Sequence, residues 1–231
     1  FFKKQFSPSL IKRLLILLLL GGLQGVLGWY MVKSGLVKNP QVSHYRLAAH
    51  LISAITVFGF TLWIAMDLLF KREILTEQKL SGIHKTSILL FVVVIIQVIY
   101  GAFTAGLKAG YSFNTFPKMG TDWIADGMTD MQPLWRNFLE GIPGVQFVHR
   151  YTACLIVVIV GMIWLKSKKI ELSRLQKVAV NLLVMTISFQ FILGVLTLMY
   201  SVPIVPALLH QTGAFVLFTG TLFLIHQTRV K

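Results

Sequence analysis

Three of the six histidines share a local pattern suited to holding a flat, metal-containing ring. His50, His149 and His210 each lie near one end of a long apolar run, and two small residues follow each of them three and four positions later. These pairs are Ser53 and Ala54, Thr152 and Ala153, and Gly213 and Ala214. Residues three and four apart share one face of a helix, so each imidazole is expected beside a shallow notch one turn deeper. A flat macrocycle would fit there.

The other residue types narrow the chemistry of these histidines. The single cysteine, Cys154, lies inside an apolar run, which excludes a disulfide framework and a cysteine-based metal or iron–sulfur site. No carboxylate cluster accompanies the histidines, which favours iron in a porphyrin over zinc, and a six-coordinate haem takes two imidazoles from facing helices. Small residues beside a histidine also serve plain helix packing. Threefold recurrence at matched depth favours a functional site, because ionisable side chains in apolar runs are costly.

The other histidines and two arginines surround this pattern. Three histidines lack the small residues in the same register and are expected to be solvated or interfacial: His44, His84 and His226. Arg46 lies one turn before His50, and Arg150 directly follows His149. Both guanidinium groups are candidates to pair with haem propionates through bidentate hydrogen bonds. Extension of a positive side chain to the membrane surface explains them equally well, and both interpretations stay open.

The composition identifies the environment of these side chains. Of the 231 residues, 55% are apolar and 13% charged, with a mean hydropathy of +0.74, which is too little polar surface for a water-soluble globule. The net charge of +14 would suggest nucleic acid in a soluble protein. Here the basic residues form short clusters between long apolar runs, which indicates membrane topology instead.

Six apolar runs are long enough to cross a bilayer as helices. They cover residues 14–32, 47–70, 87–105, 145–165, 178–200 and 207–225. The sequence therefore predicts an all-α, polytopic membrane helix bundle. Of the 22 Lys and Arg residues, 15 lie on the side of both termini, which predicts that both termini face the cytoplasm or matrix. The aromatic-rich segment 107–144 would be outside, as a lid over a site or as an interfacial loop.

The runs also form an internal repeat of two-helix hairpins. The first helix of each hairpin carries Gln-x-x-x-Gly and the second carries one of the three notched histidines. The three motifs are Gln24 to Gly28, Gln97 to Gly101, and Gln190 to Gly194. Such motifs commonly pack helices together in lipid, although these glutamines and Gln211 could also form hydrogen bonds across helices or to a cofactor.

Six segments of the chain are specific enough to indicate a family. The first two are GGLQGVLGWYMVKSGL at 21–36 and VSHYRLAAHL at 42–51. The others are AGLKAG at 105–110, NTFPKMG at 114–120, VQFVHR at 145–150 and HQTG at 210–213. These segments closely resemble the haem A synthase family of cytochrome oxidase assembly, with the mitochondrial and alphaproteobacterial branch nearest, and the resemblance covers nearly the whole chain.

This resemblance implies a multi-pass inner-membrane oxidoreductase that oxidises a methyl group of haem O to the formyl group of haem A. It also implies eight helices in two four-helix halves, with residues 1–85 in the N-terminal, substrate-haem half and 86–231 in the half that binds a b-type haem. By position, His149 and His210 look like the iron ligands of haem b. His50 looks like the catalytic histidine that faces the iron of haem O, the substrate.

The beginning of the chain departs from the family pattern. Residue 1 is Phe, and no signal or transit pattern precedes the first run, which predicts a cut N-terminus. The family's first two helices, with a second histidine and a catalytic glutamate, have no counterpart, and three hairpins leave His50 without a partner. We therefore expect the last six helices of eight. Alone, they would keep the haem of His149 and His210 without completing the conversion.

Two other functions fit part of the pattern. A membrane di-haem b-type electron-transfer protein needs a haem near each surface, whereas only His84 and His226 are available on the inner side. A transporter built from repeats would carry acidic residues or broken helices at the midplane. The only acidic residue in the six predicted spans is Asp67, near an inner end. Both alternatives are therefore less favoured than the enzyme.

The resemblance also suggests partners. Besides membrane lipid, these are the enzyme that makes haem O and cytochrome oxidase assembly factors, whereas nucleic acid is not expected. The electron donor, the source of the formyl oxygen and the oligomeric state, a homo-oligomer included, stay open. So does the choice between a bacterial cell membrane and a mitochondrial inner membrane.

Overall fold

The computed structural model describes residues 6–36, 42–70 and 77–229, except the side chains of residues 34–36 and 77–81. Within these ranges the chain forms seven helices, a single 3₁₀ turn and no strand. The long helices are α1 (Pro8–Leu36), α2 (His44–Leu69), α3 (Glu77–Gly106), α5 (Ile142–Ser167), α6 (Arg174–Met199) and α7 (Ile204–Thr228). The 3₁₀ turn Ala109–Tyr111 and the short α4 (Arg136–Leu139) lie between α3 and α5. The predicted all-α class is confirmed.

All six long helices are long and apolar enough to cross a membrane, and the chain is a multi-pass membrane protein. Most of them extend beyond the apolar runs seen in the sequence. Glu77, for example, begins α3 ten residues before the predicted run at 87–105. Backbone hydrogen bonding continues into the polar interface, so hydropathy marks where lipid begins and not where a helix ends.

Four of the helices form a closed ring. In it, α3 contacts α5, α5 contacts α6, α6 contacts α7, and α7 returns to α3. Because α5 and α7 each pack against the same two neighbours, they face each other across the diagonal. Their shared interior is apolar and closely packed, with one fully buried residue from each helix: Leu90, Ile163, Leu183 and Leu224.

The first hairpin lies outside this ring. Helix α2 packs against both α3 and α7, whereas α1 packs against α2. The apolar stretch of α1 has no buried residue, and large side chains such as Leu18 and Leu19 are exposed over most of their surface. At the contact of α2 with α7, the ring of Phe218 would lie 3.0 Å from a Cβ on Gly59, so glycine allows the two helices to approach.

A charged cluster links α1 to the C-terminal ends of α2 and α7. Asp67 on α2 accepts a hydrogen bond from Arg13 Nη1 at 2.7 Å, and its other oxygen lies 3.1 Å from His226 Nε2. The His226 side chain is fully buried, and its ring packs edge-on against Trp63. Of the two environments expected for His226, solvated or interfacial, the solvated one is wrong, because protein side chains enclose the ring. A carboxylate within an apolar helix requires such partners.

Candidate functional site

Each hairpin places a glutamine and a glycine of its first helix against the histidine of its second. We call these three sets the seats of the histidines. The first seat consists of Gln24, Gly28 and His50, the second of Gln97, Gly101 and His149, and the third of Gln190, Gly194 and His210. The repeat found in the sequence is thus a set of tertiary contacts that recurs three times.

The glycine of each seat lets the imidazole lie directly against the neighbouring helix. The ring atom Cε1 would be 3.1 Å from a Cβ on Gly28, 3.4 Å from one on Gly101 and only 2.8 Å from one on Gly194. The first and third distances are shorter than an ordinary carbon–carbon contact. Any larger residue there would push the ring or the helix away.

The glutamine of each seat lies within hydrogen-bond range of its histidine. Gln24 Nε2 is 3.3 Å from Nδ1 of His50 and 3.3 Å from its carbonyl oxygen. In the second seat the amide nitrogen lies 3.5 Å from the ring Nε2. In the third, Gln190 Nε2 donates to the carbonyl of His210 at 2.7 Å, and the His210 Nδ1 lies 3.1 Å from the Gln190 carbonyl. Hydrogen bonding across helices is therefore a use of these glutamines, in addition to packing.

The three histidines lie at matched positions along their helices. They are the seventh residue of α2, the eighth of α5 and the seventh of α7, counted from the end that the sequence assigns to the outer side. All three side chains are half-buried. His149 and His210 lie on α5 and α7, the two helices that face each other across the ring. His50 lies on the separate first hairpin, so the three do not form one site.

Arg150 fastens the segment 107–144 to the second seat; we call it the outer segment, after the location that the sequence predicts for it. Its Nη1 donates to the carbonyl oxygens of Thr115 at 2.8 Å and Lys118 at 3.1 Å, and its Nη2 donates to the carbonyl of Phe113. Its Nε is buried and has no hydrogen-bond partner within the described part of the chain. The guanidinium therefore holds a loop with both terminal nitrogens, a role that the sequence did not indicate.

Two polar residues missed in the sequence complete this attachment. Gln146, buried one turn before His149, donates through Nε2 to the carbonyl oxygens of Ala109 at 2.9 Å and Ser112 at 2.5 Å. Asn114 donates to the carbonyl of Leu198 at the end of α6, at 2.7 Å. An amide within an otherwise apolar helix is the signal that could have identified Gln146.

A further polar contact joins the outer segment to α2. Arg136 donates to Glu140 through Nε at 3.0 Å and Nη2 at 2.6 Å, and the hydroxyl of Tyr45 lies 3.3 Å from the same carboxylate. The hydrogen bond from Arg136 lowers the pKa of the half-buried Glu140 below its ordinary value. Together with the hydrogen bonds of Arg150 and Gln146, this contact places the segment against the N-terminal ends of α2 and α5.

Arg46 and the remaining histidines have their own surroundings. The guanidinium of Arg46 lies over the ring of Tyr30, 5.5 Å from its centre. His44 begins α2 half-buried against Phe103, and its Nε2 is buried without a partner among the described residues, so it is not a solvated side chain. His84 is half-buried with Nδ1 3.2 Å from the hydroxyl of Thr228. His84 and His226 thus each contact a protein side chain, Thr228 and Asp67 respectively.

The donor set of the ring fits a haem and not a cluster-bound metal. Within residues 6–36, 42–70 and 77–229, no three His, Cys, Asp or Glu side chains come together. The ring instead provides one imidazole from each of two diagonal helices, α5 and α7. Nδ1 of His149 is buried and has no hydrogen-bond partner among the described residues. Two imidazoles from facing helices are the ligand set of a six-coordinate haem.

Fold and site together define a polytopic membrane protein with one histidine on each of two facing helices of a four-helix ring. The family model described as cytochrome oxidase assembly protein matches residues 1–222, and the chain belongs to this family.

Three curated relatives named "Heme A synthase" match nearly the whole chain. The protein of Flavobacterium johnsoniae is 40% identical over 97% of this chain and 66% of its own length. That of Nitrosospira multiformis is 41% identical over 98% of the chain and 64% of its own length. That of Wolbachia pipientis is 38% identical over 96% and 62%. The chain thus spans slightly less than two thirds of the length of these relatives. No solved structure matches it.

Proposed function

We propose that this chain provides six helices of a haem A synthase, which oxidises a methyl group of haem O to the formyl group of haem A. The observation that carries the proposal is the threefold seat: the chain presents three imidazoles at one depth, each held by the same glutamine and glycine contacts. Membership of the cytochrome oxidase assembly family and the names of the relatives support the same reaction.

In this proposal the two regions of the molecule have different roles. His149 and His210 hold a haem b between α5 and α7, and when bound this haem supplies one-electron transfer. His50 faces the haem O substrate, with Arg46 one turn away as a candidate partner of a propionate. Residues 1–85 belong to the substrate half and 86–231 to the haem b half.

The outer segment shields the reaction from water. The donors of Arg150 and Gln146 go to its backbone carbonyl oxygens, which fixes the loop directly above His149. Exclusion of water strengthens every electrostatic interaction in the pocket and suppresses side reactions. Of the Arg150 guanidinium, only Nε is left for a propionate, so loop attachment is the main role that we assign to this residue.

The distribution of Lys and Arg between the two sides supports an orientation in the membrane. We place the chain in a bacterial cell membrane or mitochondrial inner membrane, with both of its ends on the cytoplasmic or matrix side. Candidate partners are the haem O-producing enzyme and cytochrome oxidase assembly factors. In a Cys154→Ala background, Lys169→Cys should resist an impermeant thiol reagent added from the outer side, and Thr121→Cys should react. The reverse pattern would overturn this orientation.

Analysis of the bound porphyrins tests the reaction itself. The intact protein is produced together with a source of haem O, and the porphyrins are extracted and separated by mass. We expect formyl-bearing haem A with the wild-type protein and none with His50→Ala. As a control, His84→Ala changes a histidine outside the three seats and should keep the product. Absence of formyl haem from the wild type, or its full retention in His50→Ala, would overturn the proposal.

A further inference from the structure

A cavity lies between the first turns of α1 and the last turns of α2, away from the three seats. Its volume is about 510 Å³, within the range of about 300–1,000 Å³ that is usual for ligand sites. The polar wall of the cavity consists of Ser7, Ser9, Arg13 and Asp67. Asp67 is about 26 Å from His50 along the axis of α2, so the cavity is separate from the first seat. We call it the α1–α2 cavity.

Arg13 supplies the positive charge of the polar wall. A guanidinium has five N–H donors in a planar fork. Among the described residues only Asp67 accepts a hydrogen bond from Arg13, through Nη1 at 2.7 Å. The Arg13 side chain is 43% exposed, so an acceptor in the cavity can reach its other donors. The hydroxyls of Ser7 and Ser9 line the same wall and can donate as well, which makes a suitable donor set for a phosphate group.

The charge around the cavity favours an anion, although Asp67 is part of the wall. One oxygen of Asp67 accepts from Arg13, and the other lies 3.1 Å from Nε2 of His226. All lining residues belong to the segments 1–13 and 64–73, which carry six Lys or Arg and two acidic residues. Basic cavities between membrane helices, next to clusters of Lys and Arg, are typical of sites for anionic lipid headgroups.

The other wall of the cavity is apolar and comes from both helices. Leu10 of α1 contributes to it, together with Leu68 and Phe70 from the end of α2. Leu68 and its neighbour Leu69 are 66% and 75% exposed, so the apolar wall continues onto the outside of α2. A cavity with one polar and one apolar wall on a membrane helix suits an amphiphile better than a free ion.

We propose that the α1–α2 cavity binds the headgroup of an anionic phospholipid. Arg13 and the two serine hydroxyls hold the phosphate, and the acyl chains follow the apolar wall past Leu68. Arg13 then bridges the Asp67 carboxylate of α2 and the lipid phosphate. Because the apolar stretch of α1 has no buried residue, a lipid bound between α1 and α2 adds contacts that stabilise the first hairpin.

Native mass spectrometry of the intact protein in mild detergent measures this binding. Phosphatidylglycerol and phosphatidylcholine with the same acyl chains are titrated separately. We expect one phosphatidylglycerol molecule to be retained about tenfold more tightly than phosphatidylcholine, whose choline group brings a positive charge to a basic site. Equal retention of the two lipids would overturn the proposal.

Two neighbouring positions of α1 provide a matched pair of variants. Arg13→Gln and Lys12→Gln each remove one positive charge, but Lys12 is exposed and does not line the cavity. Arg13→Gln should weaken retention of phosphatidylglycerol about tenfold, the effect of one charge-assisted hydrogen bond, whereas Lys12→Gln should change it less than about twofold. Equal weakening by both variants would indicate general attraction to a basic surface and would overturn the proposal.

A second variant leaves the contact between Arg13 and Asp67 in place. Ser9→Asp adds a negative charge to the polar wall and should also weaken phosphatidylglycerol retention about tenfold. Ser201→Asp, at an exposed position after the opposite end of α6, is its control and should retain the lipid as the wild type does. Undiminished retention in Ser9→Asp would overturn the proposal, whether or not Arg13→Gln folds.

Inorganic phosphate distinguishes a lipid from a free anion. In large excess it should not displace phosphatidylglycerol, because the acyl chains contribute to binding; displacement would assign the cavity to a free anion instead. Thermal unfolding gives an independent measurement, since a ligand that binds the folded state stabilises it. Phosphatidylglycerol should raise the melting temperature of the wild type and of Lys12→Gln more than that of Arg13→Gln. The same rise in all three proteins would mean that the lipid binds elsewhere.

Discussion

The first hairpin and the four-helix ring carry the same histidine seat in different surroundings. In the ring, the second and third seats face each other across a closed bundle with a dense apolar interior. In the first hairpin, α1 packs against α2 and exposes most of its apolar surface. The local contacts of an imidazole are therefore set within a hairpin, whereas the pairing of two imidazoles depends on how hairpins pack together.

The outer segment adds to this contrast. Gln146 and Arg150 bind it to the helix that carries His149. Near the first seat, Tyr45 donates to Glu140, and Leu107 and Leu139 pack in one apolar cluster with Ala48 and Leu51 of α2. The segment is thus held to the second seat by hydrogen bonds to its backbone, and to the first hairpin by one hydrogen bond and apolar packing.

The largest expected effect comes from removing the histidines of the four-helix ring, compared with removing His50 of the first hairpin. His149→Ala and His210→Ala should each remove the low-spin, bis-imidazole absorption spectrum, because six-coordinate haem needs both nitrogens. His50→Ala should leave that spectrum in place. Visible and electron paramagnetic resonance spectra of the purified protein provide the measurement. An unaltered low-spin signal in both ring variants would mean that the ring does not pair these histidines.

A second prediction ranks the seats by the space at their glycines. Alanine at Gly194 would place Cβ 2.8 Å from the imidazole and should cost about 1–3 kcal/mol of stability, with weakened haem retention. Gly28→Ala should cost less and Gly101→Ala least, following their longer distances. Thermal unfolding in detergent gives the order. Gly161→Ala is the control, since no atom lies within 4 Å of its added Cβ, and no loss is expected there.

Attachment of the outer segment gives a third prediction. Gln146→Leu leaves the carbonyl oxygen of Ser112 without its side-chain donor, and that of Ala109 with only the backbone N–H of Ser112, at about 1–3 kcal/mol for a buried group left unpaired. The segment 107–144 should then be cut faster in limited proteolysis, and the first seat should be unaffected. Gln211→Leu changes an exposed glutamine beside His210 and should leave the cleavage rate as it is. Equal cleavage of both variants would exclude a fastening role for Gln146.

The smallest expected effect is a pH dependence at the edge of the first hairpin. Hydrogen bonds from Arg136 lower the pKa of Glu140, so its contribution to loop stability is present above the ordinary glutamate pKa and is lost as the pH falls through the lower, folded-state value. Because the pair is partly exposed to solvent, the change is small. The hydrogen-exchange protection of the segment around α4, relative to the intrinsic rate at each pH, should fall at acid pH in the wild type. Glu140→Gln should remove that pH dependence.

Much of the fold could be predicted from the sequence because lipid imposes strong rules on composition. Apolar runs long enough to span a bilayer gave all six helices. The helix ends were less accurate, since charged residues such as Glu77 continue a helix past the lipid boundary. His226 was expected to be solvated or interfacial, and the solvated alternative was wrong, because hydropathy does not reveal that Asp67, distant in sequence, lies beside it.

The candidate site, like the fold, could be predicted only in part from the sequence. Residue types and spacing alone determined that His50, His149 and His210 recur at one depth, each with its own Gln-x-x-x-Gly. Only the tertiary structure decided that the glutamine and glycine contact the imidazole, that Arg150 holds a loop, and that Gln146 donates to the same loop. Periodicity records which residues share a face of one helix, whereas hydrogen-bond direction depends on the atoms that a second helix brings within about 3 Å.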